Sequence, residues 1–279
     1  MPHSMTRLCL LGFLLFQTVT AWAIKPIAAW LATPDKMGLT YQSLTLTTPD
    51  HVQLAAWLIA PAVDTVDQHT TMVLAANDYG NMSYQLTQAY AMAASGYQVL
   101  MFDYRGFGHS GAFAIDPSRL YYPEFATDLR TALAEARRRT PHQRVGILGY
   151  SMGTLLGTLV AATTKCDFLI TDSYLSNPQG IAAYYATKQK TVTLPAEAAT
   201  YAQVPPKVKC PWLLITGTKD LRSPLADSLA IARAARRRQR REVLAVKCDH
   251  LGAMEALTPD VYMQKISSFL AGKSVSDKS

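Results

Sequence analysis

ILGYSMGTLLGTL, residues 147–159, is the stretch that decides the fold of this chain. Two apolar residues lead into GYSMG at 149–153, and a run of apolar and small residues follows. A serine hydroxyl is unfavourable in a core, and glycine weakens both strands and helices. The pattern is therefore typical of a sharp turn between a buried strand and a helix, where only small residues fit beside a serine that faces outward.

The rest of the chain alternates strand-like and helix-like segments. An antiparallel hairpin comes first, with Tyr41–Leu46 and Val52–Ile59 on either side of a Pro49-Asp50 turn. Short apolar runs predict further strands at Thr71–Ala75, Gln98–Phe102, Val145–Gly149, Asp167–Thr171, Trp212–Thr216 and Glu242–Val246. Helices are predicted at Met82–Ala94, Pro123–Arg138, Met152–Thr163, Pro224–Arg238 and Pro259–Ala271. This alternation predicts an α/β fold, with a mostly parallel sheet of about eight strands and helices on both faces.

The N-terminus has the pattern of a secretory signal. A short segment ending at Arg7 precedes the apolar run Leu8–Phe16, and Ala21-Trp22-Ala23 resembles a signal-peptidase site. The apolar run is short for a membrane span, although an uncleaved anchor is the alternative. We therefore expect a signal peptide at 1–23, one domain at 24–279, and export to the periplasm or the medium.

Arginine runs carry much of the net charge of +7. Arg137–Arg139 is one run, and six arginines lie between 233 and 241. Both runs fall at predicted helix ends, where cations complement the helix dipole, so we favour solvated ends over a docking surface for anionic lipid. No aromatic residues alternate with the arginines, so we expect no nucleic-acid partner and retain peripheral membrane contact as the alternative.

Three cysteines, Cys166, Cys210 and Cys248, lie outside the predicted signal. Cys166 and Cys210 each precede a strand-like run, so they can lie at the same end of neighbouring parallel strands. A disulfide between them and three buried thiols both remain open. The chain shows no zinc-type spacing, phosphate loop or dinucleotide fingerprint, and we expect neither a metal nor a cofactor.

Ser151 is the candidate nucleophile, because G-x-S-x-G between a strand and a helix is the nucleophile elbow. Such a serine needs a general base, and the base needs an orienting acid. His250 follows the last strand in KCDHLGAME, and we prefer it to His109, which we expect to line the substrate site. Asp220 follows a strand in TGTKD and is the preferred acid, with Asp172 as its rival.

Four motifs together resemble the α/β-hydrolase superfamily: NDYGN at 77–81, DYRGFGHS at 103–110, the elbow, and the Asp220/His250 pair. The combination is similar to single-domain serine hydrolases of the lysophospholipase-like, acyl-thioesterase-like and serine-aminopeptidase-like groups. The resemblance implies that the backbone N–H groups of Met152 and Asp78 form the oxyanion hole. Relatives usually have His-Gly where this chain has Ala76-Asn77, and an acidic side chain at 78 would weaken an anion hole.

The segment 173–209 predicts a short partial lid, since it is tyrosine-rich and has few large aliphatic residues. We expect Tyr79 and Tyr150 to line the substrate site together with His109. The sequence as a whole predicts a monomeric serine hydrolase that cleaves a carboxylic ester or thioester of a small-molecule or lipid-like acyl substrate. An amidase or exopeptidase with the same triad, and a surface-binding pseudoenzyme, are the alternatives.

Overall fold

Strands and helices alternate along the chain in the computed structural model, which describes residues 23–120 and 122–275. The strands within these residues are β1 Lys25–Pro26, β2 Tyr41–Thr47, β3 Gln53–Ile59, β4 Thr70–Ala75, β5 Tyr79–Gly80, β6 Gln98–Phe102, β7 Arg144–Tyr150, β8 Leu169–Asp172, β9 Trp212–Gly217 and β10 Arg241–Val246. The α-helices are α1 Leu86–Ala94, α2 Pro123–Arg139, α3 Met152–Thr163, α4 Pro178–Thr187, α5 Leu225–Arg233, α6 Ala253–Leu257 and α7 Pro259–Leu270. Residues 1–22 of the predicted signal lie outside the described residues.

Eight strands form one sheet in the order β10-β9-β8-β7-β4-β6-β3-β2. The hairpin strands β2 and β3 are antiparallel, β3 pairs antiparallel with β6, and all the other pairs are parallel. The predicted α/β fold, with a mostly parallel sheet and an N-terminal hairpin, is confirmed. The sequence did not predict the two-residue strands β1 and β5, which pair with each other beside the sheet.

The central strands are buried along their length because helices cover the sheet. Every residue of β4 and of β9 is buried, as expected for parallel strands packed on both faces. Helix α2 packs against α3, and α1 packs against α7. No helix within 23–120 and 122–275 has the combined length and apolar character of a membrane span.

Two predicted helices differ from those observed. The segment predicted as Met82–Ala94 begins as a 3-10 helix, Met82–Gln85, before α1 starts. The helix predicted to reach Arg238 ends at Arg233 as α5. Helices α4 and α6 were not predicted, since each is short and lies in a segment interpreted as a loop.

The arginine runs have different surroundings. Arg137–Arg139 occupies the last turn of α2, as predicted, and two of its members pair with Glu135. The prediction that the second run ends a helix is wrong for most of its arginines, because α5 ends at Arg233 and the others lie beyond it. A longer helix would place like charges four residues apart, at 233 and 237 and at 236 and 240, which is unfavourable. The Gln239 side chain instead holds a turn by accepting from the Arg236 N–H and donating to two carbonyl groups.

A buried ion cluster fixes the loop after β6. The Arg105 guanidinium binds Asp128 of α2 at 2.7 Å and also binds Asp50 in the hairpin turn. The adjacent Asp103 carboxylate accepts hydrogen bonds from the Met82 N–H (2.7 Å) and from the Trp30 indole (2.8 Å). The DYRG motif therefore joins the hairpin, α2 and the segment after β5, which borders the candidate site.

Candidate active site

Ser151 lies on a strained turn between β7 and α3. Its φ of 50° and ψ of −113° lie outside the regions that non-glycine residues normally occupy. A Cβ on Gly153 would overlap the Ala75 carbonyl group, and one on Gly149 would meet the Gly153 backbone. The two glycines are therefore required by the close approach of β4, β7 and α3, and this geometry is that of a nucleophile elbow.

His250 links Ser151 to Asp220. Its Nε2 lies 2.9 Å from the Ser151 Oγ, and its Nδ1 lies 2.8 Å from the Asp220 Oδ2. Ser151 follows β7, Asp220 follows β9, and His250 follows β10, so three strands deliver the side chains to the carboxyl edge of the sheet. The structure thus brings together the three residues selected from the sequence.

Asp220 is held in its charged form. Burial alone would raise its pKa, but hydrogen bonds and charge from His250, together with hydrogen bonds from Ser223, lower it to about 2. The Arg222 N–H (2.8 Å) and the Ser223 N–H (3.0 Å) both donate to Oδ1. A carboxylate fixed in this way can orient the imidazole and stabilise its protonated form.

The two backbone N–H groups implied as oxyanion donors lie in the loops after β4 and β7. Met152 is the first residue of α3, and Asp78 lies between β4 and β5, where its carbonyl oxygen accepts from the Lys25 N–H at 2.8 Å. Among the described residues, the Met152 N–H donates to no protein acceptor, whereas the Asp78 N–H donates to its own carboxylate. An oxyanion would therefore compete with the Asp78 carboxylate for the second donor.

A cavity of about 440 Å³ opens beside His250. Its lining residues are Tyr184, Lys219, Asp220, Leu221, Arg222, Asp249, His250 and Leu251. Tyr184 belongs to α4 within the predicted lid segment, and the Arg222 guanidinium lies 5.8 Å from the centre of its ring. Sequence reasoning missed Arg222, which follows Asp220 by two residues and therefore lies near any site that uses Asp220.

The remaining predicted site residues do not line this cavity. His109 stacks on Trp30, with ring centres 3.7 Å apart. Tyr79 is exposed and packs edge-on against Tyr84. Tyr150 is buried. No group of three or more His, Cys, Asp or Glu residues in the described part of the chain is arranged to hold a metal ion.

Asp172, the rival acid, lies in a separate buried network. Its backbone carbonyl accepts from the Ser151 N–H at 3.1 Å, and its carboxylate accepts from the Tyr262 hydroxyl at 2.9 Å. Ser173 Oγ donates to the same carboxylate and accepts from the Leu251 N–H at 2.9 Å. Asp172 is therefore hydrogen-bonded to the Ser151 backbone directly and to the Leu251 backbone through Ser173. Asp220 is the acid that contacts His250 itself.

Burial raises the pKa of Asp172 from 3.8 to about 6, and the nearby charge of Asp220 acts in the same direction, against His250 and the hydrogen bonds from Tyr262 and Ser173. Between these two pKa values the folded protein keeps a proton that the unfolded chain has lost, so stability falls as pH rises. The loss approaches completion about one pH unit above the folded pKa, near pH 7, and amounts to about 3 kcal/mol. We expect Asp172→Asn to remove this decline.

The measurement is the free energy of urea unfolding at pH 4, 5.5 and 7 for both proteins. Between pH 4 and pH 7 the wild type is expected to lose about 2.4 kcal/mol more than the variant. If the free energy of unfolding had the same pH dependence in both proteins, folding would not raise the pKa of Asp172 and the prediction would be wrong. His250 and Asp220 are present in both proteins, so only the part of their titration that depends on the Asp172 charge differs between the two.

Known proteins resemble this chain in part of its sequence and in its fold. Residues 76–192 match the family model described as serine aminopeptidase. An uncharacterized membrane protein of Saccharomyces cerevisiae is 34% identical over 79 residues, which is 28% of this chain and 26% of that protein. The alignment thus spans about a quarter of the yeast relative.

Among solved structures, an esterase of Pyrococcus furiosus superposes with a TM-score of 0.71 at 19% identity, covering 90% of this chain and 98% of that one. A serine hydrolase without a lid from Xanthomonas campestris gives 0.57 at 18% identity, covering 83% and 93%. The acylaminoacyl peptidase of Pyrococcus horikoshii gives 0.61 at 17% identity, covering 86% of this chain but 42% of that protein. At these identities, the likeness shows a shared fold.

Proposed function

We propose that this chain belongs to the α/β-hydrolase superfamily, which the family match and the shared fold support, and that it is a serine hydrolase that cleaves a carboxylic ester or thioester through an acyl-enzyme. The observation that carries the proposal is the continuous hydrogen-bonded series from Ser151 Oγ through His250 to Asp220. A serine hydroxyl is a weak nucleophile until such a base accepts its proton.

The proposed reaction has two halves. Ser151 Oγ attacks the carbonyl carbon while His250 Nε2 accepts the hydroxyl proton, and the Met152 and Asp78 amides hold the oxyanion. His250 then gives the proton to the leaving alcohol or thiol, and the acyl group stays on Ser151. A water molecule attacks next, with His250 again as base, and releases the acid. Each oxyanion donor typically contributes about 2.7–4 kcal/mol to such a transition state.

The test is turnover of a p-nitrophenyl ester series, from acetate to palmitate, by the wild type and by Ser151→Ala. We expect turnover by the wild type alone, with a chain-length optimum that measures the acyl pocket. A fluorophosphonate probe should label Ser151. An inert wild type that also resists the probe would remove the hydrolase proposal and favour a binding protein, for which salt-sensitive binding to anionic liposomes is the readout.

Asp78 gives a second candidate function, an aminopeptidase. Its carboxylate lies close enough to His250 and Arg222 to feel both charges, although burial raises its pKa. A carboxylate beside the nucleophile can bind the free amine of a peptide substrate, and the family model over residues 76–192 carries the aminopeptidase description. For an ester, the same negative charge would oppose the oxyanion.

Asp78→Asn separates the two candidates, because it removes the charge and keeps the backbone N–H. For an esterase we expect kcat/KM on the best p-nitrophenyl ester to rise about fivefold, equivalent to about 1 kcal/mol of removed repulsion. For an aminopeptidase we expect kcat/KM on aminoacyl p-nitroanilides to fall at least tenfold. Asn77→Asp is the matched control, because it adds a negative charge to the same loop at the neighbouring position.

We further propose that the protein is exported and works as a monomer on a small-molecule or lipid-like acyl substrate. N-terminal sequencing of the protein recovered from its native host tests cleavage after Ala23, and light scattering of the purified protein tests the oligomeric state.

A further inference from the structure

Two cysteine thiols meet at the end of the sheet opposite the candidate active site. Strands β8 and β9 are parallel neighbours, with Leu169 aligned to Trp212. Cys166 precedes β8 and Cys210 precedes β9, so both lie at the amino edge of the sheet. Both cysteines are reduced in this structure, and the Cys166 thiol donates a hydrogen bond to the Phe168 carbonyl oxygen at 2.9 Å.

The thiol pair is reachable from solvent and has basic surroundings. Both cysteines are half-buried and line a cavity of about 370 Å³, together with Lys165, Lys207 and Lys209. Three ammonium groups around the opening attract an anionic reagent. The charges of Asp167 and Arg241 shift the pKa of Cys210 in opposite directions, Asp167 upward and Arg241 downward.

The two thiols have different chemistry. The neighbouring Cys166 thiol lowers the pKa of Cys210, whereas Cys210 and burial together raise the pKa of Cys166. A thiolate is the attacking form in disulfide exchange. Cys210 is therefore the residue suited to attack, and Cys166 is placed to resolve the product.

We propose that Cys166 and Cys210 are a redox site that closes to a reversible disulfide on exchange with a small anionic disulfide such as oxidised glutathione. The Cys210 thiolate attacks one glutathione sulfur, forming a mixed disulfide and releasing a glutathione thiolate. Cys166 then loses its proton and attacks the Cys210 sulfur, which releases the second glutathione. The protein loses two electrons and two protons, and the oxidant is reduced to two thiols.

The bond would close a ring that contains the lid segment. Residues between 166 and 210 include β8 and α4, whose Tyr184 lines the cavity beside His250. A cross-link over a ring of this size restricts the unfolded chain and raises the thermal midpoint. For a protein of this length we expect a rise of about 5–15 °C.

The experiment equilibrates the purified full chain in glutathione buffers of increasing oxidised fraction, traps free thiols with N-ethylmaleimide and maps tryptic peptides by mass spectrometry. Cleavage at lysine places the three cysteines in separate peptides, 166–188, 210–219 and 248–265. We expect the first two peptides to be joined, the third to be alkylated, and dithiothreitol to reverse both the link and the rise in thermal midpoint.

Matched variants make the result decisive. Cys166→Ser and Cys210→Ser should each lose the link and the thermal shift, whereas Cys248→Ser should keep both. The proposal would be overturned if Cys166 and Cys210 were still trapped by N-ethylmaleimide after the most oxidising buffer. Glutathione adducts that never resolve, or a link that involves Cys248, would also overturn it. Ester hydrolysis is not part of the readout, so this result stands apart from the proposed function.

Discussion

His250→Ala is expected to lower kcat on the best ester substrate by about 10⁴-fold or more. Its imidazole is the group in hydrogen-bond contact with the Ser151 Oγ, at 2.9 Å, so its removal leaves the serine without a base. Substrate binding does not depend on that proton transfer, and KM should change much less. Steady-state kinetics across the optimal substrate's concentration range gives both constants.

The companion variants of this experiment are Asp220→Asn and His142→Ala. Asp220→Asn keeps the size of the side chain but removes the charge and favours the wrong imidazole tautomer, so we expect a loss of about 10⁴-fold in kcat. His142 is exposed in the turn before β7 and should give wild-type rates when replaced. A His250→Ala protein that retains more than a tenth of the wild-type kcat would contradict the proposed role of His250.

Gly153→Ala is expected to destabilise the fold strongly for so small a change. The added methyl group would overlap the Ala75 backbone carbonyl, and backbone cannot rotate away as a side chain can. We expect a loss of about 3 kcal/mol or more and a fall in thermal midpoint of about 6–12 °C. Differential scanning calorimetry measures the midpoint, and circular dichroism shows whether the variant folds.

Gly157→Ala is the control on the same helix. A Cβ there would lie 3.1 Å from the Ile147 Cγ2 and 3.3 Å from the Leu169 Cδ1, both side-chain atoms that can shift. Alanine also favours the helix by up to about 1 kcal/mol over glycine. We therefore expect a change within about 1 kcal/mol of the wild type, and equal losses at 153 and 157 would refute the argument from close approach.

The site could be predicted from the sequence where local patterns carry it. Ser151 lies in a five-residue motif, and His250 and Asp220 each follow a recognisable strand, so the parallel topology alone places them at one edge. The link from Tyr262 to Asp172 spans 90 positions and has no local signature. Tyr150 is adjacent to the serine, yet the alternation of side chains along β7 directs it inward, which the motif does not reveal.

The lid segment shows a second limit of the sequence. Helix α4 has a weak amphipathic pattern, and its N-terminus is marked by Asn177, whose side chain accepts from the Gly180 N–H at 3.0 Å. The composition around that cap is typical of a loop, so the sequence analysis predicted no helix there. Arg222 contacts Tyr184 only because α4 folds over the edge of the site, and no pattern within either segment predicts that meeting.

The strand order has a consequence for synthesis of the chain. By Phe102 the strands β2, β3, β4 and β6 are all present, and β7, β8, β9 and β10 then extend one edge in the order in which they are translated. The nucleophile emerges first, and its base follows 99 residues later, which corresponds to about 5–20 s of translation. During that interval the nascent chain has an elbow serine and no base, so the proposed hydrolysis would wait for the last strand to leave the ribosome.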